Sequence, residues 1–396
     1  MRTFEFFLST PRKLEQAAHD ELKKLLPDAK LNIGKAGVHF EASLLDALKA
    51  GLYSRIASRL YLKAFEFEFN HEKEIPRHSG EQAWNEYISP KSSIFINTLV
   101  DHTILRAFKN SLFLNLVLKD GIVDFFTARN KPAPIIEKED PKHRIFQFIS
   151  KGKNKKFHST VYFDFFGRSL SHRGYRQGGF RAPCRENVAA ACLLLGEWNP
   201  QEEIFVDLMS GSGTFVFEAF LLAQGISPQI LHLKEKTPIH LFNLNFVKKD
   251  RETFTALKKY VDGIELHPKF TGKKIYAMDL TPKALSSIME FKKQLGIPAG
   301  FIEFKQGDST SLNPPTIEKA LLFANPPYAK RLGEEEEVAE LYFKMGEHLK
   351  NAYKGNRALI LTGNLEMRKK IQLQTKRRIE LYNGNIESRL LEYDLH

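Results

Sequence analysis

The residues of this sequence best suited to chemistry are Asn325-Pro326-Pro327-Tyr328, which follow the apolar run ALLFA at 320–324. Two prolines fix the backbone and offer no N–H. The loop therefore presents acceptors: the Asn325 side-chain oxygen and the Pro326 carbonyl. Both suit hydrogen bonds from an exocyclic amino group, whose nitrogen they would turn toward a methyl donor. An sp² amino nitrogen is a poor nucleophile, so alignment would supply much of the catalysis through proximity and electrostatic positioning. Tyr328 offers a ring on which a flipped base could stack. The structural alternative is a proline-stiffened loop with a core tyrosine.

A second constellation lies upstream. IFVDLMSGSGTFVFEAF (204–220) reads as a strand, an acid, a glycine-rich turn and a helix. Gly211 and Gly213 allow a sharp turn and close approach of a ligand. The third glycine of the nicotinamide fingerprint would fall at Val216, and Asp207 before the turn would repel a pyrophosphate. An acid there suits a ligand with an ammonium group, such as the methionine part of S-adenosylmethionine; a tight structural turn is the alternative. Asp279, ending KIYAMDL, is placed to accept from ribose hydroxyls, and Asp308, in QGDSTSL, from an adenine amino group. Singly, such acids are more often helix caps or solvated loop residues. Three successive strand ends bearing acids point to the ligand crevice of an open α/β sheet.

The elements that must hold these residues are short buried-strand runs: IFVDL (204–208), KIYAMDL (274–280), FIEFK (301–305), ALLFAN (320–325) and RALILT (357–362). Helical patterns such as PKALSSIMEFKKQL (282–295) and EVAELYFKMGEHL (337–349) follow several of them, which predicts a doubly wound α/β domain. The first 70 residues alternate differently. RTFEFFL and GVHFEA read as strands, Pro11 to Leu26 as a helix, Ser43 as an N-cap, and 53–69 ends in two-residue alternation. Strand-like IFINTLV, RIFQFIS and HSTVYFDFF and a helical 103–126 form a second segment. KGKNKK (151–156) joins its last two strands as a turn carrying Lys151, Lys153, Lys155 and Lys156. Those lysines read either as a solvated hairpin tip or as an RNA contact. Residues 225–270 form an insertion that would extend an RNA surface or cover a sheet edge.

Length and composition fit this scheme. At 396 residues, 42% hydrophobic and 27% charged, the chain can bury two or three cores. MRTFEFFLST lacks a basic stretch before a long apolar segment, so neither a signal peptide nor a membrane span is expected. Two cysteines suggest a reducing, cytoplasmic setting. The net charge is +12, and residues 151–200 hold nine Lys/Arg against three Asp/Glu, or +6. A polyanionic partner, first of all nucleic acid, is the natural expectation. Arg173, Arg176, Arg181 and Arg185, interleaved with Tyr175 and Phe180, would either grip RNA phosphates or pair internally and fix the linker. No phosphate loop, H-E-x-x-H, G-x-S-x-G or C-x-x-C occurs, and the scattered histidines suggest no metal site.

SLSHRGYRQGGFRAPCRENVAAACL (169–193), DLMSGSGT and NPPYAKRL together resemble the class I S-adenosylmethionine-dependent RNA guanine-N2 methyltransferases that carry a THUMP domain. The bacterial 23S rRNA enzymes are the most similar. FFLSTPRKLEQAAHDEL and GVHFEA resemble the family's ferredoxin-like unit. The resemblance implies a ferredoxin-like α+β unit at 1–65, a THUMP RNA-binding domain at 66–166 and a Rossmann-like methyltransferase domain at 167–396. It gives Asp207, Ser210, Gly211, Gly213 and Thr214 to the methionine side, Asp279 to the ribose, Asp308 to the adenine, and Asn325 to Tyr328 to the target base, with Asn325 also facing the cofactor. Pro183, Glu186 and Asn187 would close the pocket. The sequence departs from the family pattern at Leu208, Ser210, Thr281 and His172, none of which removes a required acceptor.

The function implied is methylation of the exocyclic N2 of a guanine in 23S rRNA or a ribosomal precursor, by a monomer. Rival readings are guanine-N2 methylation of tRNA, methylation of an adenine amine, and a non-catalytic RNA-binding assembly factor. Val216 and Asp207 disfavour a nicotinamide dehydrogenase.

Overall fold

The computed structural model describes residues 2–176, 184–312, 319–328 and 335–396. The N-terminal part begins with β1 (Phe4–Ser9), α1 (Glu15–Leu25), β2 (Leu31–Gly34), β3 (Gly37–Ala42) and α2 (Leu44–Tyr53). Ser43 caps α2 as expected, its hydroxyl accepting from the Asp46 amide at 3.1 Å. β4 (Arg59–Phe69) is followed by α3 (Ile75–Gly80), β5 (Ser93–Val100), α4 (Ser111–Thr127), β6 (Ile135–Ile136), β7 (His143–Lys151) and β8 (Phe157–Asp164). All eight strands form one sheet, in the order β2-β3-β1-β4-β8-β7-β5-β6. The boundary drawn between residues 65 and 66 falls inside β4, which pairs with β1 at its start and with β8 along its length. The two N-terminal units are therefore halves of a continuous sheet.

The C-terminal part runs α5 (Glu186–Leu195), β9 (Ile204–Asp207), α6 (Thr214–Ala223), α7 (Ile230–Lys234), α8 (Asn245–Lys249), α9 (Arg251–Asp262), β10 (Ile275–Asp279), α10 (Pro282–Leu295), β11 (Ile302–Gln306), β12 (Ala320–Ala324), α11 (Glu335–Ala352), β13 (Arg357–Thr362), β14 (Arg377–Asn383) and β15 (Ile386–Asp394). Its described strands order as β11-β10-β9-β12-β13-β15-β14. β9 pairs in parallel with β10 on one side and β12 on the other, so chain order reverses there. That is where an open α/β sheet opens a crevice. The central strands are apolar on both faces: Phe205, Leu321 and Phe323 belong to one buried cluster, Val206, Leu322 and Ala324 to the other.

The contacts of the 225–270 insertion tie the two sheets together. Phe246 stacks on Phe4 at 5.4 Å and meets Tyr87 edge-on. Ser89 donates to Asn245, and the Leu241 amide donates to the Phe165 carbonyl. The Ser227 hydroxyl donates to the Leu52 carbonyl at 2.6 Å.

The seam is closed by buried charge. Arg55 donates to the Leu221 and Ile226 carbonyls at 3.0 and 2.9 Å, while its own amide donates to Glu21 at 2.7 Å. Burial lowers the Arg55 guanidinium pKa to about 10, and Glu218 and Glu21 oppose that shift. Arg173 is fully buried, with Nε 3.3 Å from Glu218, and also donates to the Leu170 and Arg55 carbonyls. The Tyr175 hydroxyl donates to the same Glu218 oxygen at 2.7 Å. This corrects the assignment of Arg173 to RNA: with no exposed surface it pairs internally and fixes the linker. Arg176 also has internal partners, donating to Glu186 at 3.0 Å and to the Cys184 carbonyl at 2.8 Å, while its side chain stays 35% exposed and open to an RNA contact. Removing one partner of a fully buried pair strands the other charge. Arg173→Ala should therefore lower unfolding free energy by about 3–5 kcal/mol. The apolar double replacement Arg173→Met/Glu218→Leu should cost clearly less, as read from urea denaturation of the three proteins.

Candidate active site

The carboxyl ends of β9, β10, β11 and β12 bring Asp207, Asp279, Asp308 and Asn325 to one edge of the sheet. The glycine turn is held there by hydrogen bonds between neighbouring strand ends. Asp279 accepts the Gly211 amide at 2.8 Å with one carboxylate oxygen, and the Thr281 amide and hydroxyl at 2.9 and 2.7 Å with the other. Three of its roughly four acceptor positions are thus in use. Gly211 and Gly213 have φ of 50° and 81°, which favours glycine at both. A Cβ on Gly211 would meet only open space, whereas one on Gly213 would strike the Phe217 ring. Gly211 therefore faces a space that a ligand can enter, and Gly213 serves the packing of α6.

Two polar atoms are left over in this turn. Asp207 is fully buried; one oxygen accepts the Met209 amide at 3.2 Å and the other has no partner. The Ser210 hydroxyl is also buried without a partner. Buried polar groups are nearly always hydrogen-bonded, so an orphaned pair at a strand end marks a place for a ligand. Burial, with Asp279 adding to it, pushes the Asp207 carboxyl up to about 8. Thr214 opens α6, its hydroxyl 2.9 Å from that of Ser212. Asp308 is exposed and accepts the Thr310 amide and hydroxyl at 2.9 and 2.8 Å with one oxygen. Leu280, missed in the sequence, is 65% exposed directly after Asp279. A large apolar side chain left in water at a strand end was the signal that could have found it.

In the Asn325–Tyr328 loop Pro326 is buried, Pro327 exposed, and Asn325 and Tyr328 half-buried. The Tyr328 hydroxyl donates to the Asn325 side-chain oxygen at 2.7 Å, using one of the two acceptor positions of the oxygen expected to receive an amine. The ring lies against Gly363, burial pushes the phenol pKa up, and the Tyr328 carbonyl accepts from Asn364 at 2.9 Å. In this state the tyrosine is tucked in.

Of the residues expected to close the pocket, Glu186 and Asn187 are described, and the Asn187 side-chain oxygen is buried without a partner. Glu186 is buried, its carboxyl raised by that burial and paired with Arg176. Asn187 donates to the Ile56 carbonyl at 3.1 Å and the Ser58 hydroxyl at 3.0 Å, so it holds the N-terminal sheet. Pro183 and Arg181 lie outside the described residues. Lys151, Lys153 and Lys155 are exposed and Lys156 half-buried at the β7–β8 turn. Asn154 and Lys155 take the left-handed conformations that a tight hairpin turn requires. No group of three or more metal-ligating side chains occurs among the described residues, and no helix there is long and apolar enough to cross a membrane.

The raised Asp207 carboxyl has a measurable consequence. Between pH about 4 and about 8 the folded protein keeps a proton that the unfolded chain has lost, so stability falls as pH rises through that window. Asp207→Asn removes that dependence. The variant should melt above the parent at pH 8 and no higher near pH 4, in calorimetric scans without ligand.

Comparisons with known proteins agree with this architecture. Residues 173–392 match the RMKL-like methyltransferase domain model, and residues 5–61 the RlmL ferredoxin-like domain model. The ribosomal RNA large subunit methyltransferases K/L of Aeromonas salmonicida and Hahella chejuensis are 30% and 31% identical over 99% and 100% of the chain. The chain spans about half the length of these relatives, 54% in both cases. The structure of SMU.472 complexed with SAH superposes with a TM-score of 0.81 at 23% identity, covering 100% of this chain and 99% of the other, which speaks for the fold. With more than half of its length matched by that domain model, the chain belongs to the RMKL-like methyltransferase family.

Proposed function

We propose that this chain transfers a methyl group from S-adenosylmethionine to the exocyclic N2 of a guanine in 23S rRNA or a ribosomal precursor. The observation that carries the reading is the Asn325–Tyr328 loop, set at the strand end next to the one bearing Asp207, Ser210 and Gly211. The residues present fit the cofactor. The orphaned Asp207 and Ser210 oxygens suit an ammonium group, and the open space at Gly211 admits the methionine chain. The remaining acceptor capacity of Asp279 and the free oxygen of Asp308 suit ribose and adenine, and Leu280 offers apolar cover beside them. The cofactor supplies an electrophilic methyl carbon on a positively charged sulfur.

The protein's part is positional. Asn325 and the Pro326 carbonyl accept the two amine hydrogens and fix the nitrogen lone pair. The amine's proton leaves to solvent or to a nearby acceptor. Stacking of the Tyr328 ring on the incoming base would break its hydrogen bond to Asn325 and leave both acceptor positions of that oxygen to the amine. Residues 66–166 act as the THUMP RNA-binding module with the lysine hairpin as one contact, and the protein works as a cytoplasmic monomer. The names of the rRNA relatives support the substrate class.

Tritiated methyl transfer to unmodified 23S rRNA, tRNA and DNA, with nucleoside analysis, tests this. N2-methylguanosine in rRNA alone is the expected product. Label in tRNA alone would overturn the substrate, and cofactor binding without label in any pool would overturn the activity. Asn325→Ala should lower kcat roughly 10²–10³-fold, a larger loss than that of cofactor affinity, since Asn325 also faces the cofactor. Tyr328→Phe keeps the ring and frees the Asn325 oxygen, so it should retain turnover that Tyr328→Ala loses.

A further inference from the structure

Six cations lie close together between residues 368 and 378: Arg368, Lys369, Lys370, Lys376, Arg377 and Arg378. The structure sorts them by use. Arg377 pairs with Glu392 and with Glu197 at 3.2 Å, and Lys376 pairs with Asp394 at 3.0 Å, so both serve the β14–β15 hairpin and its neighbours. The first three sit on a short 3-10 helix, Met367–Ile371, just beyond the end of β13. Arg368 gives its Nε to the Leu365 carbonyl at 2.9 Å and has no ion pair among the described residues. Lys370 is exposed and likewise has no ion pair among them. Lys369 pairs with Glu366 at 2.6 Å, but both side chains are largely exposed, and such a surface pair exchanges readily for a better anion.

This turn is seated firmly beside the catalytic loop. Ile371 is buried, and its backbone presses on α11 at Gly346, where any Cβ would overlap it. Asn364 makes the link. Its side-chain oxygen accepts the Glu366 and Met367 amides, both at 3.1 Å, which caps the turn; its amide donates to the Tyr328 carbonyl at 2.9 Å. The Arg368 amide donates back to the Asn364 carbonyl at 3.4 Å. One side chain thus connects a cationic turn with the loop assigned to the target base.

We infer that the Arg368–Lys370 turn is a phosphate-binding surface for the RNA strand that delivers the target base, kept in register with the Asn325–Tyr328 loop by Asn364. The inference rests on the function proposed above. A base held by the loop brings its own flanking phosphates to the loop's rim, and Arg368 and Lys370, without ion pairs among the described residues, stand on the turn that Asn364 ties to that loop. Arg368 and Lys370 supply attraction and orientation without reading sequence. Asn364 is a positioning residue, acting on the loop through the Tyr328 backbone.

The test measures binding of the full chain to unmodified 23S rRNA across a salt series, beside cofactor affinity. Arg368→Gln/Lys370→Gln should weaken RNA binding roughly tenfold and reduce the slope of log affinity against log salt by about 1.5, with cofactor affinity intact. Lys23→Gln/Lys24→Gln, an exposed pair on α1, should change neither. Asn364→Ala should lower turnover at saturating RNA more than it lowers RNA affinity. A parent that binds RNA while the Arg368/Lys370 variant keeps its affinity and slope overturns the surface. Unchanged turnover in Asn364→Ala overturns the register. A parent that neither binds nor methylates rRNA overturns the preceding proposal, and this one with it.

Discussion

The rest of the molecule depends on the ionic seam between its two sheets. Glu21, half-buried, and Arg55, Arg173 and Glu218, almost wholly withdrawn from water, bring two cations and two carboxylates together, each held by further hydrogen bonds to carbonyls, amides or the Tyr175 hydroxyl. Desolvating such groups is costly, and the arrangement persists because few of their polar atoms lack a partner. Its geometric effect is rigidity. Leu170 and Asn187 bind the segment 56–58 from either side of the linker, so the start of α5 is anchored to the strand that begins at Arg59.

That anchoring gives structural work to two residues assigned to a pocket. Asn187 and Glu186 open α5, and both are turned toward the seam. At the strand ends, the β9–β10 and β9–β12 pairings set the glycine turn and the proline loop side by side. Asp279 is the hinge of that arrangement, since it binds the turn through Gly211 while keeping acceptor capacity for a ligand.

The fold was largely legible from the chain, for identifiable reasons. Asp207 and Asn325 lie where the apolar runs of β9 and β12 stop, because a strand buried on both faces cannot continue into polar residues. Ser43 caps the helix it precedes. Other features were hidden. Arg173 stands among arginines and aromatics that read equally as an RNA grip or an internal pair, and only the packing of α6, which brings Glu218 beneath it, decides. The β14–β15 hairpin was passed over although Asn383-Gly384 between alternating runs is a turn signal. The Tyr328 hydrogen bond to Asn325 is a side-chain orientation, which spacing cannot disclose. The division at residue 65 failed to anticipate that β4 serves both units, since composition does not change along that strand.

The seam also bears on how the protein is made. Arg55 is 166 residues away from the Leu221 carbonyl it binds. At a synthesis rate of about 5–20 residues per second, roughly 8–30 s separate the emergence of the two. Throughout that interval the N-terminal sheet can pair its strands, yet the guanidinium destined for burial must remain hydrated. The nascent chain therefore carries an unfinished, water-facing seam, and its closure couples completion of the first sheet to arrival of α6 from the second.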